Sequence, residues 1–297
     1  MGCLNSKTLS RKGLIKFIEK SNASKIIYRE HLEIIQKDIS KLSSPLVFTE
    51  NYRKGQPAEE ELCFKHTQAT IFDETRSLIP MNASYIDGFK DPKAYIVTRT
   101  PNSESTTENF WRMIWMQKTE IIVMIDNPDE NEYGASFWNP DAESSLQFGN
   151  LSIKKFKTHQ CHSSFNILRV AVTHEDGPTL HVNYFFFNGW QLHDEAPLEC
   201  ELLNLIFMTR IYNEKAVTPA SLKGFKSPIV IHCSDGLQRS MVFCAVDIGI
   251  SAILEKNEVN LYSIVSKLRE ERYNCLYDVH DYGMCYLVLC YYCAFYM

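Results

Sequence analysis

Residues 229–245 read IVIHCSDGLQRSMVFCA, and this stretch decides the fold. A short apolar run at 229–231 leads into Cys233, and a second apolar run begins after Arg239. Between the two runs, Gly236 permits a tight backbone path. A β-type run that is joined through such a loop to an apolar run of helical length predicts a strand–loop–helix unit, as in α/β domains.

The loop between the two runs has the features of an anion site. Its backbone N–H groups would point inward, and the N-terminus of the following helix adds positive potential. The same dipole lowers the pKa of a thiol, so Cys233 is expected to be a thiolate that can attack phosphorus. Arg239 supplies a planar fork for two phosphate oxygens, and Ser240 can hydrogen-bond the thiolate. His232 is expected to order the loop.

The chemistry predicted from this loop is phosphoryl transfer to sulfur followed by hydrolysis, which requires no cofactor and no metal. The loop residues predicted to be catalytic are Cys233, Arg239 and Ser240. The loop residues predicted to bind substrate are Ser234, Asp235, Gly236, Leu237 and Gln238.

The composition is that of a globular protein with one sizeable core. Of the 297 residues, 45% are hydrophobic and 12% are aromatic, which excludes a disordered chain. The formal net charge of -5 argues against nucleic acid as the main partner. Ten cysteines at irregular spacing, with no apolar secretory signal before them, predict reduced thiols in a cytoplasmic protein.

Residues 1–20 are predicted to be a lipidated basic anchor, followed by the folded domain at 21–297. Gly2 with Ser6 fits the pattern for N-myristoylation, and Cys3 is placed for palmitoylation. Basic side chains that can face an anionic leaflet follow at Lys7, Arg11, Lys12 and Lys16. The predicted location is therefore cytoplasmic and peripheral, at the inner leaflet of the plasma membrane. The alternative is an ordinary polar tail that begins with Met-Gly by chance.

Hydrophobic periodicity predicts mainly strands in the middle of the chain and mainly helices after it. The expected strands lie at 94–98, 120–125, 151–156, 165–173, 181–187 and 228–232. The expected helices lie at 12–43, 106–117, 199–212, 240–254, 259–271 and 281–297, and 50–80 is polar and irregular. With no long linker, this order predicts a single α/β domain.

Two features near the C-terminus have structural explanations. The uncharged stretch 282–297 is short for a membrane span and suits a buried helix. Cys290 and Cys293 form a Cys-x2-Cys pair, but no second pair with the spacing of zinc ligands exists, so core packing is expected for them.

Several segments resemble the classical protein tyrosine phosphatases. HCSDGLQRS at 232–240 matches the family signature HCSxGxxRS, and NASYIDGF at 82–89 is similar to its NASYI element. AYIVTRTP at 94–101 resembles its AYIATQGP segment, and FWRMIW at 110–115 is nearly unaltered. The resemblance covers about residues 20–297. Within the family, the chain is most similar to the divergent tyrosine phosphatase-like proteins of polydnaviruses (bracoviruses).

The resemblance implies a single tyrosine phosphatase-like domain, with a mixed, twisted sheet flanked by helices and a Cys-x5-Arg phosphate loop between a strand and a helix. It also implies phosphotyrosine-containing partner proteins and, for a viral protein, a role in host-cell signalling. Asp73, in an Asp-x-x-Arg pattern, falls in the substrate-recognition region. His66 stands where the family has the tyrosine that stacks on the substrate ring, and Trp190 begins the family's mobile loop.

That mobile loop departs from the family pattern. The family has Trp-Pro-Asp, whose aspartate protonates the leaving tyrosine oxygen, whereas here Trp190 is followed by Gln191 and Leu192. Because general acid catalysis contributes about 10²–10⁴-fold, its loss would leave roughly a thousandth of the rate. Asp194 or His193 is the candidate surrogate acid, and the alternative is that both are solvated.

Other departures lie in or near the phosphate loop. Tyr277 and Asp281 replace the two glutamines that position the hydrolytic water. Gln238 and Met241 replace glycines. Asp235 replaces a small residue within the anion nest, where its charge is expected to weaken the binding of a phosphate dianion.

Three hypotheses stay open at this point. The favoured one is a pseudophosphatase that binds phosphotyrosine through the Cys-x5-Arg loop and shields it, with catalysis impaired. The alternative is an active but slow tyrosine phosphatase that forms a phosphocysteine at Cys233, with Asp194 or His193 as the acid. The third is an inherited fold that binds no phosphate.

Replacement of Gly2 tests the predicted anchor. Gly2→Ala removes the glycine that the myristoylation pattern requires, so no myristate is attached and the protein is expected to move from the membrane fraction to the cytosol. Fractionation of cells that express either form measures this shift, and an unchanged distribution would contradict the anchor.

Overall fold

The computed structural model describes residues 8–41, 46–48, 62–73, 75–79, 81–126, 145–160, 163–175, 177–190, 199–215 and 226–297. Its strands are β1 (Leu9–Ser10), β2 (Leu46–Phe48), β3 (Leu62–Phe64), β4 (Ile71–Phe72), β5 (Leu78–Ile79), β6 (Ala83–Ile86), β7 (Tyr95–Arg99), β8 (Ile121–Ile125), β9 (Ser145–Phe148), β10 (Leu151–Gln160), β11 (Phe165–His174), β12 (Leu180–Phe187), β13 (Ile229–Cys233) and β14 (Glu258–Val259). Its helices are α1 (Arg11–Ile18), α2 (Ala23–Lys41), α3 (Glu104–Gln117), α4 (Glu199–Lys215), α5 (Arg239–Lys256), α6 (Leu261–Glu271) and α7 (Val279–Phe295).

Eight of these strands form one mixed sheet in the order β6-β7-β13-β8-β12-β11-β10-β9. The four central strands β7, β13, β8 and β12 run parallel, and the flanking pairs are antiparallel. Parallel strands are normally covered on both faces by helices, and their sequences are then apolar throughout. Strand β13, which ends at Cys233, is one of these central parallel strands. The predicted α/β class with a mixed sheet is confirmed.

Strand β13 shows how the core is built on the two faces of the sheet. Its side chains alternate, so that Ile229 and Ile231 join one buried cluster and Val230 joins the other. The first cluster contains helices α1, α2, α4, α5, α6 and α7, whereas the second contains α3, with Trp111 fully buried. Helices thus flank the sheet on both faces.

The predicted strands and helices are present, with two differences. Strand β10 continues to Gln160, beyond the predicted end at 156. The predicted helix at 12–43 is two helices, because α1 ends at its C-cap Glu19 and α2 begins only at Ala23. Polar residues between them, of the kind that prefer turns to helix interiors, explain the break.

The N-terminal segment is part of the folded domain from residue 9 onward. Leu9 pairs with Val259 in a small sheet, and the fully buried Leu14 packs in the core. The ring of Phe17 packs at a tilt against that of Tyr286, with the ring centroids 5.3 Å apart. Helix α1, which lies within the segment 1–20 that was predicted as an anchor, thus packs against α7. The predicted acylation sites Gly2 and Cys3 lie outside the described residues.

The C-terminal stretch forms the helix α7, as expected, rather than an extended or irregular segment. Leu289 and Cys293 are fully buried, while the last turn is exposed, with Phe295 70% accessible. Within the described residues, no helix has the length and apolar character that crossing a membrane requires.

Candidate active site

The predicted loop lies at the carboxyl ends of the parallel strands. Strand β13 ends at Cys233 and α5 begins at Arg239, so residues 234–238 form the turn between them. Cys233 is level with Arg99 of β7, and its carbonyl accepts a hydrogen bond from the backbone N–H of Thr100 at 2.8 Å. Ligands of open α/β sheets bind at this edge, so the fold puts the loop at a favourable place.

Gly236 brings the loop against the end of β7. Its φ is +66°, and a Cβ atom there would lie 2.7 Å from the backbone of Thr98 and Arg99. No side chain fits this space, and the left-handed conformation also favours glycine. The tight path expected at Gly236 is therefore confirmed, and neighbouring backbone is what requires it.

A fully buried guanidinium braces the same glycine. Arg272 donates from Nε to the Gly236 carbonyl at 3.2 Å, and from Nη1 to Ser84 Oγ at 3.2 Å and Cys63 Sγ at 3.0 Å. Its Nη2 donates to Asn82 Oδ1. Asn82 and Ser84 of the NASY segment thus fix the position of Arg272, which in turn binds the loop at Gly236. In the sequence, the segment stands out only by resemblance, and Arg272 was not among the predicted site residues.

Asp235 points into the loop that it belongs to. Its Oδ1 accepts hydrogen bonds from the backbone N–H of Leu237 at 2.8 Å and of Gln238 at 3.2 Å. The same oxygen lies 3.3 Å from Cys233 Sγ and accepts the thiol hydrogen. Three donors therefore converge on one carboxylate oxygen, in a nest where a phosphate oxygen was expected.

The prediction that Cys233 is a thiolate is wrong for this conformation. Burial raises the pKa of the Cys233 thiol well above its usual value, and the nearby charges of Asp235 and Asp126 add to the effect. The polar groups of Ser240 lower the pKa of the thiol, but their effect is smaller. The helix dipole that was expected to favour the thiolate is outweighed, because desolvation and two carboxylates all disfavour a further negative charge.

His232 orders the surroundings of the loop through a directed chain of hydrogen bonds. Burial lowers the pKa of His232 to about 3, so the ring is neutral and has one donor and one acceptor. Thr100 donates its only hydroxyl hydrogen to Asp126 at 3.2 Å and therefore accepts from His232 Nδ1 at 2.9 Å. The ring Nε2 then accepts from the Tyr184 hydroxyl at 2.6 Å.

The chain of hydrogen bonds ends on Arg239, the predicted phosphate ligand. Arg239 Nη1 lies 3.2 Å from Asp126 Oδ1, and the guanidinium stands 5.6 Å over the Trp190 ring. Asp126 was not among the predicted site residues. It is the first charged residue after the buried strand β8, whose carboxyl end adjoins that of β13. A search for such residues at this sheet edge would have found it.

A cleft of about 1290 Å³ adjoins the loop. Its loop-side walls include Ser234, Asp235, Gln238, Arg239 and Trp190, and its other walls come from the start of α2 and the first half of α7. The Gln238 residue is 9% exposed, and its amide oxygen and nitrogen find no hydrogen-bond partner among the described residues. A buried amide without a partner at a cleft wall suits a polar ligand.

Asp281 brings a titratable carboxyl group to the same cleft. Burial, with the nearby charges of Asp278 and Asp235, raises the pKa of Asp281 to about 7, although Arg239 pulls it down. A carboxyl group with this pKa can give or take a proton at neutral pH. Tyr277, the other replacement of a family glutamine, is exposed at the cleft wall.

Other predicted site residues are not brought to the loop. Within the described residues, neither His66 nor Asp73 lines the cleft. His66 is exposed, 5.5 Å from the ring of Phe64. Asp73 closes its own turn by accepting the Ser77 N–H at 2.8 Å, and it lines a separate cavity of about 430 Å³. The candidate acids Asp194 and His193 and the substitution at Leu192 lie outside the described residues.

The structure is an α/β domain whose mixed sheet has Cys233 and Arg239 at the two ends of one strand-to-helix turn, and comparison with known proteins specifies its family. A family model described as protein-tyrosine phosphatase matches residues 57–291. The chain therefore belongs to the protein-tyrosine phosphatase family, and the resemblance noted in the sequence is confirmed.

Its relatives include proteins of a bracovirus and of human. The chain is 28% identical over 289 residues to tyrosine phosphatase H2 of Microplitis demolitor bracovirus (isolate Webb), covering 95% of this chain and 88% of that protein. It is 27% identical over 304 residues to tyrosine phosphatase-like protein J1 of the same virus, covering 97% of both. It is 33% identical over 195 residues to receptor-type tyrosine-protein phosphatase C of Homo sapiens, covering 65% of this chain and 14% of that protein.

Replacement of Gly236 tests the packing of the loop on β7. Gly236→Ala puts a methyl group into backbone at 2.7 Å and strains a positive φ, so the free energy of unfolding should fall by about 2 kcal/mol or more. Gly283→Ala in α7 is the matched control, because nothing lies within 4 Å of the added Cβ and a helix favours alanine. Urea denaturation measures both variants, and equal stabilities would contradict the close approach.

Proposed function

We propose that this protein binds phosphotyrosine of other proteins in the Cys233 loop and hydrolyses it poorly. The observation that carries the proposal is the state of the nucleophile: the Cys233 thiol is fully buried and donates its hydrogen to a carboxylate. A thiol is a weak nucleophile compared with its thiolate, and a raised pKa reduces the thiolate fraction about tenfold for each unit.

The cleft supports the binding part of the proposal. The guanidinium of Arg239 lies at the cleft wall, where Asp126 and Trp190 fix its plane. Such a fork suits a phosphate group. The unpartnered amide of Gln238 adds hydrogen-bonding capacity beside it. The aromatic ring of Trp190 can contact the tyrosyl ring of the ligand.

The sequence supports impaired turnover independently of the thiol. Leu192 stands where the family has its general acid, and a phenolate leaving group with a pKa near 10 benefits from a proton donor. Loss of the acid and protonation of the nucleophile both reduce the rate. We therefore infer a pseudophosphatase that occupies phosphotyrosine and shields it from other phosphatases.

Slow hydrolysis is the second candidate function, and Asp281 favours it. In that reaction the thiolate attacks phosphorus, an S–P bond forms, the P–O bond to the tyrosyl ring breaks, and water later cleaves the S–P bond. A carboxyl group with a pKa of about 7 in the same cleft as Arg239 could supply or accept the protons. Asp194 and His193 are the other candidate acids, on the evidence of the sequence.

We also propose that acyl groups on Gly2 and Cys3 hold the protein at the inner leaflet of the plasma membrane. The exposed basic side chains of α1, Lys12 and Lys16, are one helical turn apart and support contact with anionic lipid.

Turnover and binding assays separate the two candidate functions. Hydrolysis of p-nitrophenyl phosphate by the wild type should stay within about tenfold of that by Cys233→Ser, because the thiol is protonated. A rate more than about a hundredfold above the serine variant would instead establish the slow enzyme.

Affinity for a phosphotyrosine peptide tests binding itself. Arg239→Ala should weaken it by about tenfold or more, since a charge-assisted fork to phosphate is lost. Arg169→Ala on β11, exposed and outside the cleft, is the matched control and should bind as the wild type does. Equal affinity of the Arg239 variant, or equal binding of the unphosphorylated peptide, would contradict phosphotyrosine recognition.

A further inference from the structure

The nest of the Cys233 loop already holds an anion, namely the carboxylate of Asp235. The two backbone N–H groups that a phosphate oxygen would use, those of Leu237 and Gln238, are hydrogen-bonded to Asp235 Oδ1. The Cys233 thiol makes the third contact with the same oxygen. A nest of N–H groups attracts negative charge whatever its source, so a tethered carboxylate competes directly with a free oxyanion.

We propose that Asp235 is an internal competitor for the phosphate site, so that the loop exists in a capped form and an open form and oxyanions bind only the open one. The inference rests on the proposed function, since it concerns the same phosphotyrosine site. It differs from charge repulsion at a distance, because here the carboxylate occupies the hydrogen-bond donors themselves.

The surrounding backbone favours a switch that moves one side chain. Gly236 is held by Arg272, and the Leu237 carbonyl accepts the N–H of Leu276 at 3.0 Å. Asp235 itself lines the cleft, so rotation about its side-chain bonds can carry the carboxylate into the cleft without moving the loop. The competing states then differ mainly in where one carboxylate lies.

Charges around the loop set the balance between the two forms. The carboxyl group of Asp281, across the cleft, repels an outward Asp235, whereas the guanidinium of Arg239 attracts it. Asp126 already binds Arg239, which reduces that attraction. These charges favour the capped form without a ligand, and an oxyanion that pairs with Arg239 favours the open form. The apparent affinity is then the intrinsic affinity reduced by the open fraction.

Capping also couples the ligand site to the cysteine. In the capped form, the Cys233 S–H donates to Asp235, and the residue has no exposed surface. In the open form, the thiol loses this acceptor and a neighbouring negative charge, so it ionises more readily. No covalent bond forms or breaks in the switch. Removal of the carboxylate should therefore change oxyanion affinity and thiol reactivity together.

A purely structural role for Asp235 predicts the opposite result. If the carboxylate only held the loop in shape, its removal would loosen the nest, and oxyanions would bind the variant more weakly. If it competes, removal frees two N–H donors and oxyanions bind more tightly. The sign of the change in affinity therefore distinguishes the two roles.

The test compares Asp235→Ala and Asp235→Asn with the wild type. Tungstate, an oxyanion that cannot be hydrolysed, is titrated by calorimetry, and alkylation of Cys233 by iodoacetamide at neutral pH is followed by mass spectrometry. Asp235→Ala should bind tungstate about tenfold or more tightly and react about tenfold or more quickly. Asp235→Asn keeps an oxygen acceptor without the charge, so both of its values should fall between. Asp91→Ala, which removes an exposed carboxylate outside the cleft, controls for net charge and should match the wild type.

Tungstate binding that is equal or weaker in Asp235→Ala, with unchanged alkylation, would overturn the proposal. Phosphopeptide binding by the wild type would then still support the proposed function. If no form binds phosphopeptide or tungstate, the proposed function fails, and the alkylation rates alone decide whether Asp235 caps the cysteine. Should Asp235→Ala fail to fold, Asp235→Asn decides: tighter tungstate binding and faster alkylation support the cap, and wild-type values overturn it.

Discussion

The hydrogen bonds of Asp235 to its own loop are the interaction on which the properties of this site depend. A loop of inward N–H groups at a helix N-terminus needs negative charge, and here the chain provides it from within. The same carboxylate keeps a proton on Cys233, because a thiolate beside it would place two anions in a buried site. An aspartate in a loop built for an anion thus has a physical explanation: it is the anion that the loop holds.

The fold makes this arrangement rigid from two sides. Below the loop, Gly236 rests on the backbone of β7 and is braced by the buried Arg272. Beside it, the hydrogen bonds that run from Tyr184 through His232 to Asp126 fix the carboxylate that holds Arg239. The backbone scaffold of the loop is therefore held by buried contacts, while Asp235 and Asp126 determine the charge around it. The charge of the loop can change while its backbone stays the same. Buried packing contacts hold the backbone in place, whereas replacement of one loop residue is enough to change the local charge.

The sequence predicted the parts of the structure that depend on local pattern. Apolar runs such as 229–231 predicted the central strands, and a glycine in a tight loop predicted the path at Gly236. Contacts between distant segments were not predictable in the same way. Asp126 meets Arg239 only because β8 and β13 are neighbours in the sheet, and the protonation of Cys233 depends on the buried carboxylates around it. The helix dipole was a correct consideration, but its size relative to desolvation could be judged only from the structure.

Titration of Cys233 is the measurement that tests this account most directly. The protein is labelled with ¹³C at the cysteine Cβ atoms, and the Cys233 signal is assigned by its loss in Cys233→Ser. The account predicts that this signal keeps the chemical shift of a protonated thiol up to about pH 9, above the usual range of cysteine. A titration midpoint below about pH 7 would show a thiolate in the resting protein and would contradict the account.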